Sequence, residues 1–171
     1  HTIATGLEGF PAHMLHPILT LHQLLSVIAA CILASNRWSR SVVWGIGAFA
    51  LGIAGGWAMQ IYAPDALTSY WIVTYLVLAM AAGAAALGAA SWPGVPVLLI
   101  AIVGGVFGLD NYNLAPDLWE RVQPPVAIFI TVAALMLLVG WLMTRGTVSR
   151  AAAMLARVIA AAIAVYAVAK L

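Results

Sequence analysis

The run Gly94-Val95-Pro96-Val97-Leu98-Leu99-Ile100-Ala101-Ile102-Val103-Gly104-Gly105-Val106-Phe107-Gly108-Leu109-Asp110 decides the fold class. It carries no charge before Asp110, and its apolar residues fall on every face of a helix. A helix at the surface of a water-soluble domain keeps one polar face, whereas a segment that is apolar all round belongs in a core or in lipid. Stretches of the same kind recur at roughly His13–Ser35, Ser41–Ala63, Ser69–Ser91, Gln123–Thr144 and Arg150–Lys170. Each is close to the ~20 residues that one bilayer crossing needs. They are rich in Ala, Leu and Gly rather than alternating, and lipid admits only helices and closed barrels. The expectation is an all-α, polytopic transmembrane bundle of about six helices, one domain over residues 1–171.

Composition points the same way. Of 171 residues, 65% are hydrophobic and 7% charged, with a mean hydropathy of +1.07. Soluble domains hold roughly 45–50% apolar and about 25% charged residues. This excludes a soluble globular enzyme, a disordered tail and a nucleic-acid binder. The net charge of +2 rests on seven basic residues, too few for a basic patch. Cys31 is the one cysteine, so neither an internal disulfide nor a zinc framework is available. There is no Cys–His pair at useful spacing, no Gly-rich phosphate loop after a strand and no G-x-S-x-G, so the chain is not read as an enzyme. It opens on His1 rather than Met, and a cleaved signal peptide is the simplest account.

Turn chemistry separates the stretches. Asn36–Arg40 is polar, Ala63-Pro64-Asp65 initiates a turn, and Trp92-Pro93-Gly94 is a tight corner. The longest break is the outer loop 111–122, with Pro116 inside it and Pro124-Pro125 after it; residues 1–12 form a short extracytoplasmic segment. Arg37 and Arg40 lie in the first loop, Arg145 and Arg150 in the fifth. In a six-helix arrangement both loops share a side, which the positive-inside rule makes cytoplasmic. Glu8, Asp65, Asp110, Asp117 and Glu120 all fall on the other side. The chain is therefore expected in the bacterial inner membrane with both termini outside. Trp and Tyr residues sit at the expected interfaces, from Trp44 and Trp141 on the inner side to Trp71 and Tyr166 on the outer. Ala48, Gly52 and Gly56 recur every four residues in the second stretch, as do Gly104 and Gly108 in the fourth. Such small-residue stripes let helix backbones approach closely. No internal repeat of the inverted-transporter kind is visible.

Ionisable groups within a span are functional candidates by default. Here they are His13, His16 and His22 at the first stretch and Arg157 in the sixth. At 100° per residue, His13, His16, Thr20 and Gln23 form one polar stripe about a helix face wide, and His22 points elsewhere. Neutral imidazole is the commonest metal ligand, so the stripe reads as a metal or proton site. The plainer reading is hydrogen bonding of His13 and His16 at the outer interface, with Pro17 starting the helix. Arg157 reads as a side chain snorkelling to the inner surface. Met14 beside two histidines suits copper, and His1 offers an amine and a ring to a metal. Asp110, Asp117 and Glu120 read as a solvated acidic face.

The run Gly9-Phe10-Pro11-Ala12-His13-Met14-Leu15-His16-Pro17-Ile18-Leu19-Thr20-Leu21-His22-Gln23-Leu24-Leu25 resembles the opening of the HupE/UreJ family, whose pattern there is G-F followed by H-P-x-x-G-x-D-H-L-L. The chain keeps Gly9, Phe10, His16, Pro17, Leu21, Leu24 and Leu25. It has Thr20 at the glycine, His22 at the aspartate and Gln23 at the second histidine. The run Val103–Asp110 is similar to the family's H-G-x-A-H-G-x-E: Gly104 and Gly108 remain, Asp110 stands at the glutamate, and Val103 and Phe107 replace the histidines. The resemblance implies a small multi-pass protein, made with a cleaved signal peptide and associated with nickel or cobalt uptake for hydrogenase and urease. The missing histidines imply a retained fold with an altered metal site.

Two functions follow as expectations. The first is metal-ion handling or permeation (nickel or cobalt, with copper as a shifted preference), using His13, His16, His22 and His1, with Asp110 facing them. The second is a non-catalytic accessory subunit packed in a larger respiratory, photosynthetic or oxygenase complex, or in a homo-oligomer.

Overall fold

The computed structural model describes residues 8–35, 41–62, 70–88, 94–110, 116–144 and 149–171. Among them there is no strand. The helices are α1 (Phe10–Leu19), α2 (Leu21–Ala34), α3 (Ser41–Tyr62), α4 (Tyr70–Leu87), α5 (Gly94–Asp110), α6 (Leu118–Thr144) and α7 (Ser149–Val168). Helices α3, α6 and α7 are long and apolar enough to cross a membrane, and α1 with α2 makes a fourth, bent span. Helices α4 and α5 are apolar but shorter. The 17 residues of α5 reach ~25 Å, close to the ~30 Å hydrocarbon core. The surface suits lipid: Val43, Leu51, Leu98, Met154 and Val165 all point outward. This is an all-α membrane protein.

The first stretch departs from the single helix expected over His13–Ser35. Helix α1 opens at Phe10, with Pro11 in its first turn, where a missing N–H costs little. Pro17 does not start a helix; it is buried inside α1. There it removes one intrahelical hydrogen bond and crowds the turn before it. Three residues on, β-branched Thr20 turns extended (φ −99°, ψ 113°), ending α1 and capping α2. The two helices meet at 79°. Thr131 on α6 steadies the bend by donating a 2.9 Å hydrogen bond to the Met14 carbonyl of α1.

A second departure lies at α6, which starts at Leu118 rather than near Gln123. Asp117 caps it: its carboxylate accepts from the Trp119 N–H at 3.4 Å, and its carbonyl from the Arg121 N–H at 3.2 Å. With Glu120 three residues on, this is capping-box spacing. The cap places Asp117 and Glu120 at the start of a helix, makes residues 118–122 of the expected outer loop helical, and carries Pro124 and Pro125 inside α6, both buried.

Packing is closest between α3 and α5. A Cβ at Gly52 would overlap the Ala101 carbonyl oxygen, and one at Gly56 the Gly105 oxygen. From the other side, a Cβ at Gly104 would overlap the Phe49 oxygen and one at Gly108 the Ile53 oxygen. Backbone therefore lies directly on backbone, which gives strong dispersion contact where lipid supplies no hydrophobic drive. Phe49 and Phe107 close this contact edge to face at 5.5 Å. Leu33, Leu78, Ile100, Ile128 and Met136 complete the buried centre. Cys31 is buried and free.

At the opposite end from Asp110, Gly88 terminates α4 with φ +65°. A Cβ there would come within 2.7 Å of Arg157 Nη2. The Arg157 guanidinium thus sits at the C-terminus of α4, where the helix dipole favours a cation.

Candidate functional site

Two polar side chains of the first stretch, His22 and Gln23, meet the last residue of α5. Helix α2 begins at Leu21, so His22 and Gln23 lie in its first turn. Gln23 Nε2 donates to Asp110 Oδ2, and His22 Nε2 lies 3.3 Å from the same oxygen. Three physical facts make the place favourable for a carboxylate. It faces two side-chain nitrogens, it lies beside the positive end of the α2 dipole, and it is not fully enclosed, with 14% of the side chain exposed. The Ser26 hydroxyl donates to the His22 carbonyl at 2.8 Å, an i−4 bond that ties down the turn.

Gln23 is only 2% exposed. With its amide nitrogen on Asp110, its Oε1 is buried without a partner. Buried polar atoms are nearly always paired, so this oxygen calls for a donor or a cation. Trp57 Nε1 on α3 is buried without a partner as well.

The continuous stripe expected from helical periodicity does not form. The break at Thr20 ends the register, so His13 and His16 belong to α1 while Gln23 belongs to α2. His22, expected to point elsewhere, shares Asp110 with Gln23. His16 is half-buried and within electrostatic reach of Asp110, His13 and His22. His13 is likewise half-buried, and Thr20 occupies the bend itself. His1 lies outside the described residues. Among the described residues, no three His, Cys, Asp or Glu side chains gather as a metal-binding group. Any ion here would rest on His22 and Asp110, with the Gln23 amide oxygen as a third donor.

Two residues beside the cluster carried no sequence signal of a site. The His22 ring lies 6.4 Å from Tyr75 on α4, and Tyr75 lies 6.3 Å from Tyr166 on α7. Lys170 Nζ stands 5.8 Å over the Tyr166 ring. A line of aromatic rings thus runs from the carboxylate to the end of α7. Tyr75 falls inside a uniformly apolar stretch, and Tyr166 reads as an interface anchor.

Comparison with protein-family models, with curated proteins and with solved structures finds no match to this chain.

Proposed function

We propose that this chain is a HupE/UreJ-like, non-catalytic membrane protein that handles a metal cation at an altered site. The site consists of His22, Asp110 and Gln23, with His16 within electrostatic reach of Asp110 and His13 near His16 on α1. The observation that carries the reading is the meeting of His22 and Gln23 with Asp110 across 88 and 87 residues of sequence. The two stretches that resemble the family thus contribute to one cluster, at the positions of its Asp-His pair and its glutamate.

The donor set is mixed. An imidazole nitrogen and a carboxylate oxygen suit nickel, cobalt or copper. Rotation of the Gln23 amide would present Oε1, at the cost of its hydrogen bond to Asp110. So small and exchangeable a set favours an ion that enters and leaves, as a transport path requires. The arrangement across the inner membrane follows from the loop arginines: both termini extracytoplasmic, six crossings, and the site toward the outer end.

The test is metal content by mass spectrometry of protein gently extracted from native membranes, with a denaturing gel of the same sample. Near-stoichiometric nickel, cobalt or copper that disappears in Asp110→Asn and falls in His16→Ala is the expected result. Metal-free protein accompanied by larger membrane proteins in fixed ratio would replace this reading with the accessory-subunit one.

A further inference from the structure

A groove of about 340 Å³ runs between α2 and α7. Leu25 and Ile28 line it from α2, Ile159, Ala162 and Ile163 from α7, and Tyr166 stands at one end. It is open to the exterior, and its walls are almost wholly apolar. It exists because α7 packs mainly on α4 and meets α2 less closely. Its volume is that of a small-molecule site, ~300–1,000 Å³.

The two ends of the groove differ. Ile28 lies two turns along α2 from Leu21, and Ile159 two turns along α7 from Tyr166, each about 10 Å at 1.5 Å per residue. At the Leu21 end, Tyr166 packs against Tyr75, which neighbours His22 in the first turn of α2. This is the end where α2 begins and α7 finishes. Lys170, one turn beyond Tyr166, holds its ammonium over the ring and is itself exposed. The nearby Asp110 carboxylate is engaged by Gln23 and His22. An apolar channel pointing into the bilayer, with a cation at its mouth, has the polarity of a lipid molecule.

We infer that the groove between α2 and α7 holds one acyl chain of an anionic phospholipid, with Lys170 receiving the phosphate. The hydrocarbon chain fills space that no side chain fills, restoring the dispersion contacts a void would forfeit. The ammonium selects an anionic headgroup, as basic residues do at membrane surfaces. The site is independent of the metal reading, since neither Ala162 nor Lys170 belongs to the His22–Asp110 cluster.

Native mass spectrometry tests this on the full chain in mild detergent, after exchange with an equimolar mixture of phosphatidylglycerol and phosphatidylcholine. The expected result is one retained phosphatidylglycerol per chain, preferred about fivefold, the ratio one surface lysine confers. In Lys170→Gln lipid is still retained, but the preference falls to about one. Ala162→Trp fills the groove and loses both lipids, and the milder Ala162→Leu, checked for a native circular dichroism spectrum, retains less than the wild type. Equal retention of the two lipids by the wild type would overturn the headgroup assignment. Undiminished retention in folded Ala162→Leu would overturn the groove as the site.

Discussion

Helix α5 makes two contacts of opposite character. Along its length, Gly104 and Gly108 lie on the backbone of α3 with no side chain between them. At its last residue, Asp110 meets α2 through charge and hydrogen bonds. The first contact is dry and shape-determined, and nothing in it can titrate or bind. The second is polar, part-exposed and incompletely paired. The rigid contact places the helix, and the terminal carboxylate inherits a defined position from it. A site at a helix end can therefore keep an unpaired amide oxygen, because its geometry is set elsewhere.

The sharpest way to break this division is to put a side chain into the dry contact. Gly56→Ala drives a Cβ into the Gly105 carbonyl, which is backbone and cannot swing aside. The expected loss is ~3 kcal/mol, the upper end for overpacking, read from denaturant unfolding in detergent micelles. Gly47→Ala, on the same helix with nothing within 4 Å of a new Cβ, is the matched control and should lose nothing. Equal losses would show that helix flexibility, not contact, is what the glycines supply.

The polar contact breaks less severely. Asp110→Ala leaves the Gln23 amide buried without its acceptor, a cost of ~1–3 kcal/mol. Adding Gln23→Leu removes the stranded amide and should recover most of that loss. A double-mutant cycle in the same unfolding assay measures the coupling; strictly additive losses would mean that the two side chains do not interact.

Smaller effects sharpen the picture at the bend and at the far end. Thr131→Val removes the donor to the Met14 carbonyl while keeping the shape. It should cost ~0.6–1 kcal/mol and increase amide hydrogen exchange in α1 more than in α3. Arg157→Leu removes a cation from the C-terminus of α4 and should cost ~0.3–1 kcal/mol, fading as salt is raised. A salt-independent loss would assign the Arg157 contribution to packing of its stem instead.

Much of the fold is legible in the sequence because lipid imposes local rules. The fourth apolar stretch is Gly94–Asp110 in the sequence and in the structure alike, since charge and turn residues bound it on both sides. The start of α6 was equally available, as Asp117 and Glu120 have capping-box spacing. Starting the stretch at Gln123, beside Pro124-Pro125, hides it, although both prolines fall within the first eight residues of α6. The bend at Thr20 was harder to see. Pro17 is compatible with a helix start, a kink or a break, and which one occurs depends on what the following helix packs against.

By itself, the sequence determined which segments form apolar helices, because hydropathy and turn chemistry act within a few residues. It also marked Gly52, Gly56, Gly104 and Gly108 as positions where backbones can meet, since their four-residue spacing is a property of one helix. Only the tertiary structure decided that α3 and α5 are the pair that meets, that α1 and α2 part at 79°, and that His22 and Gln23 close on Asp110. Helical periodicity fixes directions within a single unbroken helix. A contact across 88 residues depends on how helices are placed against one another, and packing in three dimensions settles that.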